Sequence, residues 1–161
     1  MRSTPPSSRR SFCTAWLDRA ASYCEPVATL LARLVFGQAF VVTGWGKLHD
    51  LDSVVAFFTE LGIPLPGVQA PMVATIEFVG GLLLLLGLGT RVAALLLTST
   101  MLVALATAHR GDFVPALTFA KSLADVTPFP FLVGLLWIIA RGAGGLSVDG
   151  MLRRRPPAVG R

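Results

Sequence analysis

The sequence predicts an all-α integral membrane protein, a four-helix bundle with both termini in the cytoplasm. Three observations carry that prediction. Of 161 residues, 53% are hydrophobic and only 14% are charged, too little charge to cover the surface of a water-soluble domain of this size. The apolar residues gather into runs of about 20, the length a helix needs to cross a bilayer. The basic residues stand at the ends of those runs, where they set orientation. Nucleic-acid binding needs basic residues clustered on one face, so the net charge of +5 does not point to it. The lipid bilayer is the partner.

The chain divides into a cytoplasmic tail (1–25), a membrane domain (26–149) and a basic cytoplasmic tail (150–161). "SRRSFC" at residues 8–13 looks like a twin-arginine export address. No clean apolar stretch and cleavage site follow, because Asp18, Arg19 and Glu25 interrupt it, so no cleaved signal is expected. Residues 14–24 read as a short interfacial helix. Spans are expected over about 27–48, 70–88, 92–109 and 125–141. "GLGTR" at 87–91 is a tight turn that makes the second and third spans an antiparallel hairpin. Pro128 and Pro130 are tolerable in the first turn of the fourth, where backbone N–H groups lack helical partners.

Orientation follows from the flanking basic residues. Arg2, Arg9, Arg10, Arg19, Arg91, Arg141, Arg153, Arg154, Arg155 and Arg161 would share one side, against Lys47, Arg110 and Lys121 on the other. The richer side is cytoplasmic. Cys13 and Cys24, the only cysteines, would then lie in a reducing compartment and stay as thiols. They form no CxxC motif.

Glu77 breaks a nearly continuous apolar run, and an ionised carboxylate in hydrocarbon requires a partner. At 100° per residue, Arg33, Gly37, Phe40, Gly44 and Lys47 fall within about 80° of arc on the first helix. Ala74, Glu77, Gly80 and Gly81 share one side of the second. Faces without side-chain bulk let helices approach closely. Arg33 lies about 9 Å and Glu77 about 17 Å from the cytoplasmic edge, and Lys47 about 30 Å from it, at the outer interface. Arg33 is therefore the expected partner of Glu77. Two roles stand for the pair: fixing helix packing, or a site for a polar head group, a proton or a quinone carbonyl. His49 and His109, with Asp50, Asp52 and Asp112, lack metal-ligand spacing, so no metal is expected. The histidines are also too shallow to hold haem across the bundle.

"ARLVFGQAFVVTGWGKLHD", "FFTELGIPLPG", "ATIEFVGGLLLLLGLGTRVAALLLTSTMLVALATAH" and "GAGGLSVDGML", in this order, resemble the DoxX family from about residue 30 to residue 149. Arg33, Gly44, Lys47, Glu77, Gly80, Gly81, Arg91 and Asp149 match its pattern by position. The resemblance implies a multi-pass protein of the bacterial inner membrane. Some members resemble subunits of thiosulfate:quinone oxidoreductase, others associate with oxidative-stress and thiol defence, and distant relatives act as cargo receptors or chaperones. The chain has no flavin, nicotinamide or dithiol fingerprint, so redox work would need something bound. The expected function is thus an accessory subunit of a membrane redox complex, with a soluble or membrane redox enzyme as partner. A quinone in the bundle would be its non-covalent cofactor. A proton-coupled carrier with Glu77 in its path and a membrane assembly factor are the alternatives. Whether the chain is itself an enzyme, or a homo-oligomer, stays open.

Overall fold

The computed structural model describes residues 8–118, 122–145 and 147–153, with side chains from residue 24 to residue 151. Lys121 and residues 1–7 and 154–161, which enter the orientation count and the tails, lie outside the described residues. All described regular structure is helical. The order is α1 (Ser8–His49), α2 (Leu51–Glu60), α3 (Pro66–Leu86), α4 (Thr90–Ala106), α5 (Arg110–Leu117), α6 (Pro128–Arg141) and α7 (Val148–Arg153). The stretch 14–24, expected as a separate interfacial helix, is continuous with the first span.

Among the described residues, two helices are long and apolar enough to cross a bilayer, Cys24–His49 within α1 and Pro66–Leu86. The third apolar stretch is broken: α4 and α5 meet at a bend of 87°. The break falls at Thr107–His109, where Thr107 has left helical geometry at φ −110°, ψ −83°. The fourth, α6, has 14 residues, about 21 Å of rise against a hydrocarbon core of about 30 Å. It starts at Pro128 behind a 3₁₀ turn, Leu123–Asp125.

α1 packs most extensively on α3, and α4 on α6. Missing side chains allow the first contact. A Cβ on Gly44 would stand 2.8 Å from Phe78 Cα, and one on Gly81 would stand 2.7 Å from Val41 N. Backbone meets backbone there. Gly80, expected on the same seam, instead serves α4: its missing Cβ leaves room for Leu97. The α3–α4 turn closes at Gly87 (φ 70°) and Gly89 (φ 55°), a left-handed geometry that side chains resist. Gly87 and Leu88 donate back to Leu83 O and Leu84 O in a Schellman cap.

Leu84, Ala93, Ala94, Leu97, Leu135 and Ile138 form the buried centre of the bundle with Phe40. Edge-to-face contacts of Phe131 with Phe36 and Phe40, at 5.5 and 5.4 Å, tie α6 to α1. A smaller cluster of Leu105, Ala116 and Val126 fixes α5 and the 3₁₀ turn against the main body. Gly87 and the α3–α4 turn lie at one end of these helices; α2 and the break at Thr107–His109 lie at the other, where the site is found.

Candidate functional site

Glu77 is 2% exposed in the middle of α3. Its partner is Lys47, not Arg33. Lys47 Nζ donates to Glu77 Oε1 at 2.6 Å and Oε2 at 2.7 Å. The lysine side chain keeps 33% of its surface accessible and the glutamate 2%.

The expected Arg33–Glu77 pair fails for a geometric reason. Cα depths ignore the tilt of helical side chains toward their own N-terminus. α1 and α3 run antiparallel, so Lys47 leans inward along the bundle while Glu77 leans outward to meet it. Arg33, on the same helix, leans the same way as Lys47, which carries it away from Glu77 and toward the end of α3. A lysine stem of four carbons then spans what remains of the offset.

Arg33 is also 2% exposed, and its guanidinium serves the Gly87 end of the bundle. Nε donates to Leu84 O at 2.9 Å, one terminal nitrogen to Leu85 O at 3.1 Å and the other to Ala143 O at 2.8 Å. The first two carbonyls belong to the last turn of α3, where helical partners run out; Leu84 O also accepts from the Gly87 N–H of the cap. Arg33 therefore caps α3 and ties it to the 142–145 turn. Asp149, in whose field Arg33 lies, performs the reciprocal task. Its carboxylate accepts from Gly89 N at 3.0 Å and Thr90 N at 3.2 Å, the exposed donors at the start of α4. Its own N–H donates to Gly87 O at 3.1 Å. Ser147 Oγ closes the turn by donating to Gly144 O at 2.7 Å and accepting from Gly150 N at 3.0 Å. A positive and a negative side chain thus hold the two halves of one hairpin turn.

At the opposite end lies a cavity of about 640 Å³, lined by residues of α1 to α4 and the start of α6. Its size falls within the range of small-molecule sites. Phe40, Phe57, Phe58, Ile76, Met101 and Phe131 give it apolar walls, and Lys47 and Glu77 line it too. The hydroxyls of Thr43, Ser99, Thr100 and Thr107 border the same space, and each donates to a carbonyl of its own helix. An ammonium has three donors; Glu77 takes two, which leaves one N–H of Lys47 for an occupant. The cavity can hold an apolar molecule whose head group accepts a hydrogen bond.

The family model described as DoxX matches residues 28–110. The chain belongs to the DoxX family. It is 30% identical over 133 residues to inner membrane protein YqjF of Escherichia coli (strain K12), covering 81% of this chain and 96% of that one. It is 36% identical over 81 residues to the Bacillus subtilis (strain 168) protein named "Putative oxidoreductase CatD", half of this chain and 59% of the relative. Inner membrane protein YphA of Escherichia coli (strain K12) is 28% identical over 78% of this chain and 90% of its own length. No solved structure matches. The DoxX match contains Arg33, Lys47 and Glu77; Asp149 lies beyond it. Together with the apolar helices, the match makes the chain a DoxX membrane protein.

The other sequence candidates are dispersed. His49 stacks on Trp45, 4.1 Å between ring centroids, with Nδ1 2.9 Å from Trp45 O. His109 flanks the N-terminus of α5 and lines the cavity. Among the described residues, no group of three or more His, Cys, Asp or Glu side chains comes together. Cys24 is a free, exposed thiol, and the side chain of Cys13 lies outside the described residues. Two features escaped the sequence reading. One is α2, an apolar lip over the cavity in what reads as a loop. The other is the cap formed by Asp149, for which a signal existed: α4 begins at Gly89 without a local side-chain cap, so a distant acceptor was needed.

Proposed function

We propose that this DoxX protein binds a quinone-like molecule beside Lys47 and serves as an accessory subunit of a membrane redox complex. The observation that carries the reading is the Lys47–Glu77 pair on the wall of the cavity. A pair that only fixed helix packing would be enclosed on all sides. Here the glutamate side chain is buried, while the lysine side chain keeps one third of its surface accessible. Glu77 holds Lys47 in place, and Lys47 offers its remaining N–H to a head-group carbonyl. The name of the Bacillus subtilis relative supports the redox association. A carrier would need access from two sides, whereas the cavity-lining residues stand at one end and Arg33 and Asp149 close the other.

The test is chemical. The protein purified in mild detergent and extracted with organic solvent should release a quinone in near-stoichiometric amount, identified by mass spectrometry. Extracts that contain phospholipid alone would refute the reading.

In the proposed arrangement α1, α3, α4 and α6 cross the membrane with both termini in the cytoplasm, α6 tolerating its short length through local bilayer thinning. Reporter fusions at residue 91 and after residue 150 should give cytoplasmic signals, and fusions within 50–66 an external one. A cytoplasmic signal from 50–66 would reverse the orientation.

A further inference from the structure

A second depression, of about 470 Å³, runs along the membrane-facing side of α3 and α4. Met72, Ile76, Val79 and Leu83 line it from α3, and Leu96 from α4. On α3 these four lie within about 60° of arc and cover about 16 Å of helix. The groove offers no hydrogen-bond donor to a polar group. Thr75, which also borders it, donates its hydroxyl to Pro71 O at 2.7 Å, and Gly80 contributes only backbone. Met72 and Ile76 line both this groove and the Lys47 cavity. The two spaces are therefore neighbours across a boundary made partly of a flexible, unbranched methionine.

We infer that the occupant of the cavity is a lipid with a single long hydrocarbon tail, its head beside Lys47 and its tail leaving past Met72 and Ile76 into the α3–α4 groove. The inference rests on the proposed function and names the class of molecule it requires. The shared boundary at Met72 and Ile76 singles out this occupant over an unrelated bilayer lipid. The groove meets the cavity on the α3 wall that also carries Glu77, and it is open to the bilayer, with Met72, Val79 and Leu96 each between 45% and 49% exposed. Entry would then be lateral, from the membrane. The tail is already in hydrocarbon before it binds, so burial from water gives it nothing. Its contribution comes from dispersion contacts with a shaped surface and is accordingly modest.

The test uses the full chain in lipid nanodiscs and two probes compared at equal mole fraction in the bilayer. One is a methoxy-substituted benzoquinone without a tail. The other carries a decyl tail ending in an alkyl diazirine. The tailed probe should bind about tenfold more tightly, a difference that Val79→Trp abolishes by filling the groove while leaving the tail-less probe unaffected. On illumination the unaltered protein should be labelled at Val79, Leu83 or Leu96, and excess tail-less probe should suppress that labelling. Equal affinities, or labelling confined to α2 and α5, would overturn the groove while leaving a head-group site in place. Labelling that the tail-less probe does not suppress would mean that ordinary bilayer lipid fills the groove, and would also overturn the inference. If neither probe binds, the proposed function falls and the inference with it.

Discussion

Lys47→Met is expected to destabilise the detergent-solubilised protein far more than Glu77→Gln, with the double variant recovering most of the loss. The asymmetry follows from burial. Removing the lysine strands a carboxylate that is 2% exposed in low-dielectric surroundings, where breaking a buried pair costs about 3–5 kcal/mol. Water in the cavity moves the effect toward the lower end of that range. Removing the carboxylate leaves an ammonium that already has a third of its side-chain surface accessible and can turn into the cavity. That loss should be about 1 kcal/mol, the scale of accessible ion pairs. Replacing both ends leaves no charge, so the cycle should show strong coupling. Thermal unfolding of the four proteins measures it. Equal effects of the two single changes would contradict the burial argument, and additivity would mean that the contact is absent.

Arg33→Met should be comparably damaging, and Arg33→Lys should not rescue it. The guanidinium reaches carbonyls at two places in the chain, Leu84 and Leu85 at the end of α3 and Ala143 in the turn after α6. A planar fork of fixed donors satisfies all of these together, while an ammonium on a floppy stem does not. Leu84 O keeps the Gly87 N–H, so the loss falls on Leu85 O and Ala143 O at about 1–3 kcal/mol each where water is excluded, or about 2–4 kcal/mol in total once partial hydration is allowed. Lysine should recover less than half. Full recovery by lysine in an unfolding measurement would show that charge alone, and not the fork, holds this end of the bundle.

What could be read from the sequence was what periodicity and composition encode directly. The apolar runs gave the first two helices, "GLGTR" gave the hairpin, and Gly44 and Gly81 marked the face where α1 and α3 touch. Gly80 was misplaced because adjacent glycines point 100° apart, and each serves a different neighbour. Depth along the helix axis alone favours Arg33 as the partner of Glu77. The tilt of side chains toward the N-terminus reverses the choice between Arg33 and Lys47. α2 was passed over because only ten residues carry it and none is buried. The cavity itself is lined by residues of α1, α2, α3, α4 and α6 together, a tertiary property that no single segment encodes.

The most direct test of the central claim, that the Lys47–Glu77 pair recognises a molecule in the cavity, is quinone affinity in the Lys47→Met, Glu77→Gln double variant. This variant keeps the shape of the site and, by the coupling above, most of its stability. If Lys47 donates to the head group, loss of that charge-assisted bond should weaken binding of a decyl-tailed benzoquinone in nanodiscs about tenfold or more, with the unfolding midpoint near that of the unaltered protein. Unchanged affinity in a stable double variant would contradict the claim and reduce the pair to a device for holding α1 against α3.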